Sequence, residues 1–372
     1  MAVRIILMLS VFLGAYFYVF FRLWHLIPAG NIVRPLLIVV AVLLVLSLVA
    51  GLMGGYFLPS PVVSVVYKIG TACFFIIIYL LLIFLLLDLL RLVFPMKTIL
   101  YHNWLTIGIL FGFIAVIFSF GYIHYTQKTR VELPVAIMAK KFLPLRIVAI
   151  SDLHLGYSIG KTELDEWVEI INAEKPDIVL IAGDIKDNLT KPLLEQKMDV
   201  SFRKIKTKYG VYTVLGNHEY IGDTTQISQM LAFMQSAGIT VLRDSATLIN
   251  DEFYLIGRDD RTNEKRKPIA ELVQSLDRSK PIILLDHQPF HLEEAEQNGI
   301  DLQFSGHTHH GQIFPISLIT NLMYEQSHGY LRKGDTHIYV SSGIGIWGGK
   351  FRIGTQSEYV VIDLISNFST RN

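Results

Sequence analysis

Five short apolar segments in the second half of the chain each end in side chains that bind metals or move protons. Carboxylates, an amide carbonyl and neutral imidazoles together suit divalent transition metals such as Mn, Fe or Zn. Thiolates are absent from the set, and it does not offer the all-oxygen surroundings that Mg or Ca prefer. The sequence therefore predicts a transition-metal centre. The five endings are Asp152-Leu-His154, Gly183-Asp184, Gly216-Asn217-His218-Glu219, Asp286-His287 and Gly306-His307-Thr308-His309.

The spacing within two of these endings strengthens the prediction. Asp152 and His154 lie two residues apart, as do His307 and His309, and residues two apart in an extended segment can point the same way. One such pair alone is usually incidental. The occurrence of all five endings in one chain is what favours a shared metal site.

The elements that must position these residues are strands alternating with helices. Residues 146–150, 178–182, 211–215, 282–285 and 302–304 are predicted strands, and residues 163–173 and 226–236 are predicted helices. Loops at one edge of a sheet converge in space while the strands hold them rigidly. An α/β domain at residues 144–372 is therefore expected to carry the site.

The N-terminal third has a different composition, with four apolar runs at residues 5–21, 36–57, 71–87 and 104–123. Each is close to the ~20 residues that cross ~30 Å of hydrocarbon. A signal peptide would explain only the first run, and helices of a soluble core would need polar faces that these runs lack. We expect a helical membrane anchor of about four spans at residues 1–127, followed by a linker at 128–143.

Charge and cysteine content exclude several classes of function. The net charge is +1, from 33 basic and 32 acidic residues, so nothing favours a nucleic-acid partner. Cys73 is the single cysteine, which excludes an internal disulfide and a cysteine-rich metal site. Asp88 is the one acidic residue within the apolar third, so anchoring is favoured over transport.

The orientation of a multi-pass protein in the cell membrane depends on basic residues in its short loops, and here they nearly balance. Lys140 and Lys141 tilt the count toward a catalytic domain on the cytoplasmic face.

The ordered endings resemble the calcineurin-like metallophosphoesterase superfamily, whose pattern D-x-H, G-D, G-N-H-[DE], H and G-H-x-H is matched across about residues 146–364. The resemblance implies a four-layer α/β/β/α sandwich of two mixed sheets with helices outside. Within the superfamily, the chain is similar to a membrane-associated branch. That branch includes transmembrane metallophosphoesterases and bacterial phosphodiesterases of the type that cleaves UDP-2,3-diacylglucosamine in lipid A synthesis.

The resemblance also implies roles for individual residues around two divalent ions, such as Mn, Fe or Zn. His218 would donate a proton to the leaving oxygen. Asp184 would bridge both ions and take part in catalysis. The remaining ligands would be Asp152, His154 and His309 for one ion, and Asn217, His287 and His307 for the other.

Other residues leave alternatives open. Arg258 and Arg352 are candidates to bind a substrate phosphate, although a solvated arginine explains each equally simply. Asp187 and Asp286 are either partners of the imidazoles or turn carboxylates. The apolar residues at 313–324 and 346–347 suit an acyl-chain groove, a bilayer contact or core packing.

The leading hypothesis is hydrolysis of a phosphodiester or pyrophosphate bond in a membrane-associated lipid, with UDP-2,3-diacylglucosamine as the first candidate. A tethered general phosphatase or nucleotide phosphodiesterase acting on a small phosphorylated molecule is the alternative enzyme. A non-catalytic scaffold on the same fold is the alternative from another class. The expected partners are the substrate and the lipid bilayer but not nucleic acid, and the sequence leaves protein partners open.

Overall fold

The computed structural model describes residues 2–138 and 140–367. Residue contacts divide the chain into two compact units, Met1–Phe120 and Gly121–Asn372. Each unit has its own secondary structure, and the last helix of the first unit continues into the second.

The first unit is helical. Its helices are α1 (Ala2–Leu26), α2 (Val33–Met53), α3 (Ser60–Leu90), the single turn α4 (Lys97–Leu100) and α5 (Trp104–Thr126).

Three helical segments are long and apolar enough to cross a membrane. They are Val33–Tyr56, Ser60–Leu90 and Trp104–Thr126, of 24, 31 and 23 residues. Their lengths meet the ~20 residues that a bilayer requires. The apolar stretch described in α1 is shorter, at Ser10–Leu26, and residues 5–9 of the predicted first run lie outside the described side chains.

Asp88, the one acidic residue of the apolar third, has two arginine partners within the first unit. The Asp88 carboxylate lies 3.6 Å from Arg91 and 2.9 Å from the buried Arg22 guanidinium. Its other oxygen accepts a hydrogen bond from Tyr18 at 2.5 Å. The acidic residue of the apolar third is therefore paired within the helix bundle.

The second unit contains twelve described strands. They are β1 (Lys128–Met138), β2 (Leu145–Ile150), β3 (Ile178–Ile181), β4 (Val211–Thr213), β5 (Ile239–Val241), β6 (Ser245–Ile249), β7 (Phe253–Gly257), β8 (Ile282–Leu285), β9 (Leu302–Ser305), β10 (Gly329–Lys333), β11 (Thr336–Val340) and β12 (Ser357–Asn367). The helices between them are α6 (Lys161–Ala173), α7 (Lys191–Glu195), α8 (Met198–Phe202), α9 (Thr224–Ser236), α10 (Ile269–Leu272), α11 (Glu293–Gln297) and α12 (Ile316–Met323).

These strands form two six-stranded mixed sheets, ordered β1-β12-β2-β3-β4-β5 and β10-β11-β9-β8-β7-β6. Within the first, β2 to β5 are parallel neighbours, and within the second β7, β8, β9 and β11 are. Parallel strands bring their carboxyl ends to one edge of a sheet, where ligand sites form.

Both faces of the central strands are buried, which explains their continuous apolar sequences. One buried cluster combines side chains of the first sheet, such as Ile147 and Leu180, with Leu285 and Phe304 of the second. A second cluster packs α6 and α9 against the first sheet, and a third packs α10 and α11 against the second. The five predicted strands and two predicted helices are present, with ends that differ by up to two residues.

The predicted linker at 128–143 is largely a strand. Lys128–Met138 forms the edge strand β1, which pairs in parallel with β12. Leu133, Val135 and Ile137 are buried while their neighbours are not, which is the period-two pattern of a half-buried strand. Pro134 has no N–H to donate to a neighbouring strand, but an edge strand tolerates proline because one side of it lacks a partner strand.

Candidate metal centre

The loops that follow β2, β3, β4, β8 and β9 carry the predicted site residues and lie against one another. The Asp152 carboxylate accepts a hydrogen bond from the His307 backbone N–H, at 3.0 and 3.1 Å to its two oxygens. The Asp184 carboxylate accepts one from the His218 N–H at 2.9 Å. Loops from both sheets are therefore fastened together through the site itself.

The first cluster consists of Asp152, His154 and His309, whose ligand atoms lie within 4.8 Å of one another. The Nε2 atoms of His154 and His309 are 3.0 Å apart, and His309 Nε2 is 3.6 Å from an Asp152 oxygen. Asp152 and His154 are almost completely buried. Three donor atoms therefore converge on one point inside the protein.

The second cluster consists of Asp184, His287 and His307, again within 4.8 Å of one another. Asn217 joins it, because its amide oxygen lies 2.8 Å from His307 Nδ1 and 3.2 Å from His287 Nε2. The other nitrogen of His287 donates to the Ala182 carbonyl at 2.6 Å, which aims Nε2 at the cluster.

Asp184 lies between the two clusters. Its Oδ2 atom is 3.3 Å from His287 Nε2 in one and 3.7 Å from His154 Nε2 in the other. One carboxylate is thus within reach of cations on either side.

The protonation of the imidazoles suits metal binding. Burial holds the pKa of His154 and of His309 well below the usual range, and it lowers the pKa of His307 to about 4. These three rings are therefore neutral near pH 7, the form in which histidine binds metals.

Two further observations show that the residues fit divalent cations. Burial raises the pKa of Asp152 to about 6, so its ionised form needs a nearby positive charge. Although burial opposes it, the Asp184 carboxylate holds the pKa of His287 well above its usual range, and a cation bound there would replace that proton.

His218 lies beside the first cluster, with its ring in an edge contact with His154 at 4.4 Å between centroids. Its Nδ1 donates to the Asp187 carbonyl at 2.6 Å, which leaves Nε2 available to a substrate. Burial alone would lower the pKa of His218, but the Asp184 and Asp187 carboxylates raise it. The ring can therefore hold a proton on Nε2.

Asp187, whose role the sequence left open, lies beside His218 and His154. Its carboxylate oxygen lies 3.7 Å from His218 Nδ1 and 3.9 Å from His154 Nδ1. It is positioned to favour a charged His218 rather than to form a surface turn.

The ligand loops share an unusual backbone conformation. Asp152, His154, Asp184, His307 and His309 all have positive φ angles, between 46° and 72°. Few residues other than glycine adopt this region, although Asp and His do so more readily than most. Concentrated local strain of this kind is typical of functional sites.

Glu219 is a residue whose importance the sequence analysis missed. Its fully buried carboxylate accepts backbone N–H bonds from Asp184, Ile185 and Lys186 at 2.9–3.1 Å, and from Gly216 at 2.7 Å. It thereby fastens the loop after β3 to the loop after β4. The acidic last position of G-N-H-[DE] was the available signal.

Arg258 and Arg352, the two candidates to bind a substrate phosphate, are both buried and contact protein groups. Arg258 pairs with Glu294 at 2.8 Å and with Asp286 at 3.3 Å, so Asp286 contacts a guanidinium group rather than an imidazole. Arg352 is fully buried and donates to backbone carbonyls, including that of His309 at 2.8 Å. Neither contact was predictable from local sequence, because both depend on tertiary packing.

We expect Gly216→Ala to weaken Mn²⁺ binding by at least about 10-fold, the lower end of what losing a partner of a ligand costs. The φ of Gly216 is −103°, which any residue adopts, but an added Cβ would lie 2.2 Å from Asp184 Oδ1. The carboxylate would have to move. Isothermal titration calorimetry of the purified chain measures the effect.

The matched control is Gly238→Ala. Its φ of +74° makes alanine unfavourable by about 1–2 kcal/mol, while the nearest atom to an added Cβ is 3.9 Å away. It should lower thermal stability without changing Mn²⁺ affinity. Parental Mn²⁺ affinity in Gly216→Ala would show that the close approach does not position Asp184.

Comparison with known proteins agrees with this site. A profile of the calcineurin-like phosphoesterase family matches residues 145–311. A metallophosphoesterase of Helicobacter pylori J99, described as uncharacterized, is 35% identical over 227 residues, covering 59% of this chain and 60% of the relative. A Danio rerio transmembrane protein with metallophosphoesterase domain is 32% identical over 268 residues, covering 67% of this chain and 60% of the relative.

The chain thus spans about 60% of the length of these two relatives. A metallophosphoesterase of Aquifex aeolicus, also described as uncharacterized, is 32% identical over 228 residues, which cover 59% of this chain and 85% of that protein. The segment matched by the family profile contains every ligand loop described above. The chain belongs to the calcineurin-like phosphoesterase family.

Proposed function

We propose that the protein hydrolyses a phosphodiester or pyrophosphate bond with two divalent ions held by its two ligand clusters. The observation that carries the proposal is the Asp184 carboxylate, placed between the two clusters within 3.7 Å of an imidazole in each. Two bound ions would supply activation of water and stabilisation of charge on the phosphoryl oxygens. Mn, Fe and Zn all suit the donor set.

The protein's own residues would orient these ions and move one proton. Asp152, His154 and His309 would hold one ion, Asn217, His287 and His307 the other, and Asp184 both. His218, held by its bond to the Asp187 carbonyl, would donate the proton on Nε2 to the leaving oxygen as the ester bond breaks.

We propose a membrane-associated lipid as the substrate, with UDP-2,3-diacylglucosamine as the first candidate. The presence of long apolar helices in the same chain supports this, because a tethered enzyme meets lipid substrates at the bilayer. The competing substrates are small phosphorylated molecules such as nucleotides. Cleavage of nucleotides by a protein that leaves lipid phosphoesters intact would favour that alternative.

We also propose a multi-pass membrane arrangement in which α1 is the fourth span beside α2, α3 and α5, with the catalytic unit on the cytoplasmic face. The 25-residue length of α1 supports the fourth span. For the catalytic unit we propose the four-layer α/β/β/α arrangement, supported by buried clusters between the sheets and beneath the helices.

The proposal predicts that metal removal abolishes activity. Purified protein treated with a chelator should lose hydrolysis of bis-p-nitrophenyl phosphate, and added Mn²⁺ should restore it, because the reaction depends on charge that the side chains alone do not supply. Release of p-nitrophenolate measures the rate. If metal-loaded, folded protein cleaves neither this diester nor UDP-2,3-diacylglucosamine, the non-catalytic scaffold becomes the better explanation.

A further inference from the structure

An exposed apolar surface follows the last ligand pair. It is formed by α12 and by Phe314, which lies two residues before the helix begins, and we call it the α12 face. Leu322 is its most exposed member, with 88% of its surface accessible. The residues of the α12 face are Phe314, Leu318, Ile319, Leu322 and Met323.

The sequence around this face carries no charge. Residues 313–324 contain no Asp, Glu, Lys or Arg, whereas soluble protein surfaces usually intersperse charged residues among apolar ones. The polar side chains of α12 are held within the protein: Ser317 is buried, Thr320 donates to the Ser317 carbonyl at 3.0 Å, and the exposed Asn321 accepts a hydrogen bond from Ser327. The result is a short uncharged helix whose exposed side is apolar except for Asn321.

The face begins next to the end of α5, within the second unit. Phe314 N–H donates to the Ile353 carbonyl at 2.7 Å, and the neighbouring Arg352 N–H donates to the Gly121 carbonyl of α5 at 2.9 Å. Gly121 packs directly on Ile353, because an added Cβ there would lie 2.8 Å from Ile353 Cγ1. Two backbone contacts therefore connect the α12 face to the last turns of a helix that we propose to span the membrane.

The same segment is firmly connected to the metal centre. Gly311, two residues after His309, has a φ of +73° and lies so close to α12 that an added Cβ would be 2.3 Å from Ser317 N. Arg352, whose backbone binds Gly121, donates through its side chain to the His309 carbonyl. A partner that covers α12 would therefore contact an element fixed to a ligand loop.

We propose that the α12 face lies in the interfacial region of the lipid bilayer and contacts acyl chains. Amphipathic helices in such a position bury their apolar side roughly 5–10 Å into the boundary between headgroups and acyl chains. A lipid surface suits the α12 face better than a protein partner, because the segment offers no charge to orient a partner and is linked to α5 through Arg352 and Ile353. The inference rests on the proposed membrane crossing of α5, and it places the metal centre beside the headgroups where a lipid phosphoester would be found.

The test is fluorescence quenching of the full chain reconstituted in phosphatidylcholine vesicles. In a Cys73→Ser background, Leu322→Cys carries an environment-sensitive label, and Leu318→Cys provides a second position on the same face. Leu248→Cys, a partly exposed position on β6, is the matched control. Each labelled protein is compared in vesicles with ordinary and with brominated acyl chains.

We expect blue-shifted emission and at least about two-fold quenching by brominated acyl chains at positions 322 and 318, and neither at 248, because the quencher acts only on contact within the apolar layer. Equal quenching at all three positions, or none at 322 and 318, would overturn the proposal. A blue shift without quenching would also overturn it, since protein would then cover the face. The result does not depend on activity, so it is separate from the test of hydrolysis.

Discussion

Asp184→Asn is expected to lower kcat/KM for bis-p-nitrophenyl phosphate by at least about 1,000-fold, more than the 10–100-fold typical of losing a residue that only supports a ligand. The substitution keeps the size of the side chain but removes its charge. Asp184 lies within 3.7 Å of His154 and 3.3 Å of His287, so both clusters lose their shared anion. Bound metal, measured by plasma mass spectrometry, should fall together with activity.

Asp165→Asn is the matched control for this prediction. Asp165 is partly exposed on α6, pairs with Lys161 and Lys204, and lies outside the ligand loops. Surface ion pairs of this kind contribute about 0–1 kcal/mol to stability, so activity and metal content should stay near the parental values. If Asp184→Asn kept the parental metal content and more than a tenth of the parental rate, a bridging role for Asp184 would be untenable.

The ligand loops were predictable because residue types that bind metals follow short apolar segments within a few positions of the sequence. Asp152 and His154 follow an apolar strand immediately, and the same is true of Asp184 after β3, so strand ends could be located from residue type alone. Parallel strands then bring such ends together wherever they lie in the sequence. The order of the five endings along the chain then indicated the resemblance to the metallophosphoesterase superfamily.

Residues that act through tertiary contacts were harder to predict. Glu219 was visible within its motif, but its role depends on N–H groups from a loop more than thirty residues away. Arg352 was a candidate phosphate ligand because it follows a glycine-rich stretch, whereas in the fold its guanidinium group donates to backbone carbonyls. A guanidinium group has several donors, and only the folded backbone determines which acceptors they meet.

The boundary between the apolar third and the catalytic unit shows a second limit of prediction from sequence. The change in composition near Lys128 was clear, and it suggested a linker, but the same residues alternate well enough to join a sheet edge. Composition distinguishes membrane from soluble surroundings, whereas strand pairing depends on whether an unpaired edge is available nearby. Here β12 offered that edge.

His218→Asn is expected to have an effect that depends on the leaving group. With diphenyl phosphate the rate should fall by about 100- to 10,000-fold, the usual contribution of a general acid, because phenol has a pKa near that of tyrosine, ~10, and leaves poorly as an anion. With bis-p-nitrophenyl phosphate the loss should be much smaller, since p-nitrophenolate is stable near neutral pH. Rates with both diesters at saturating Mn²⁺ measure the difference.

The comparison isolates proton donation from positioning, because the two diesters differ only in their nitro groups while the same protein binds both. His291→Asn serves as the control: its ring is exposed and lies 3.3 Å from Glu293, and both rates should be unchanged. An equal loss with the two diesters would mean that His218 orients the phosphoryl group or supports His154, whose ring it contacts. A loss confined to diphenyl phosphate would instead assign the proton on Nε2 to the leaving oxygen, which is the role that the raised pKa of His218 and its bond to the Asp187 carbonyl favour.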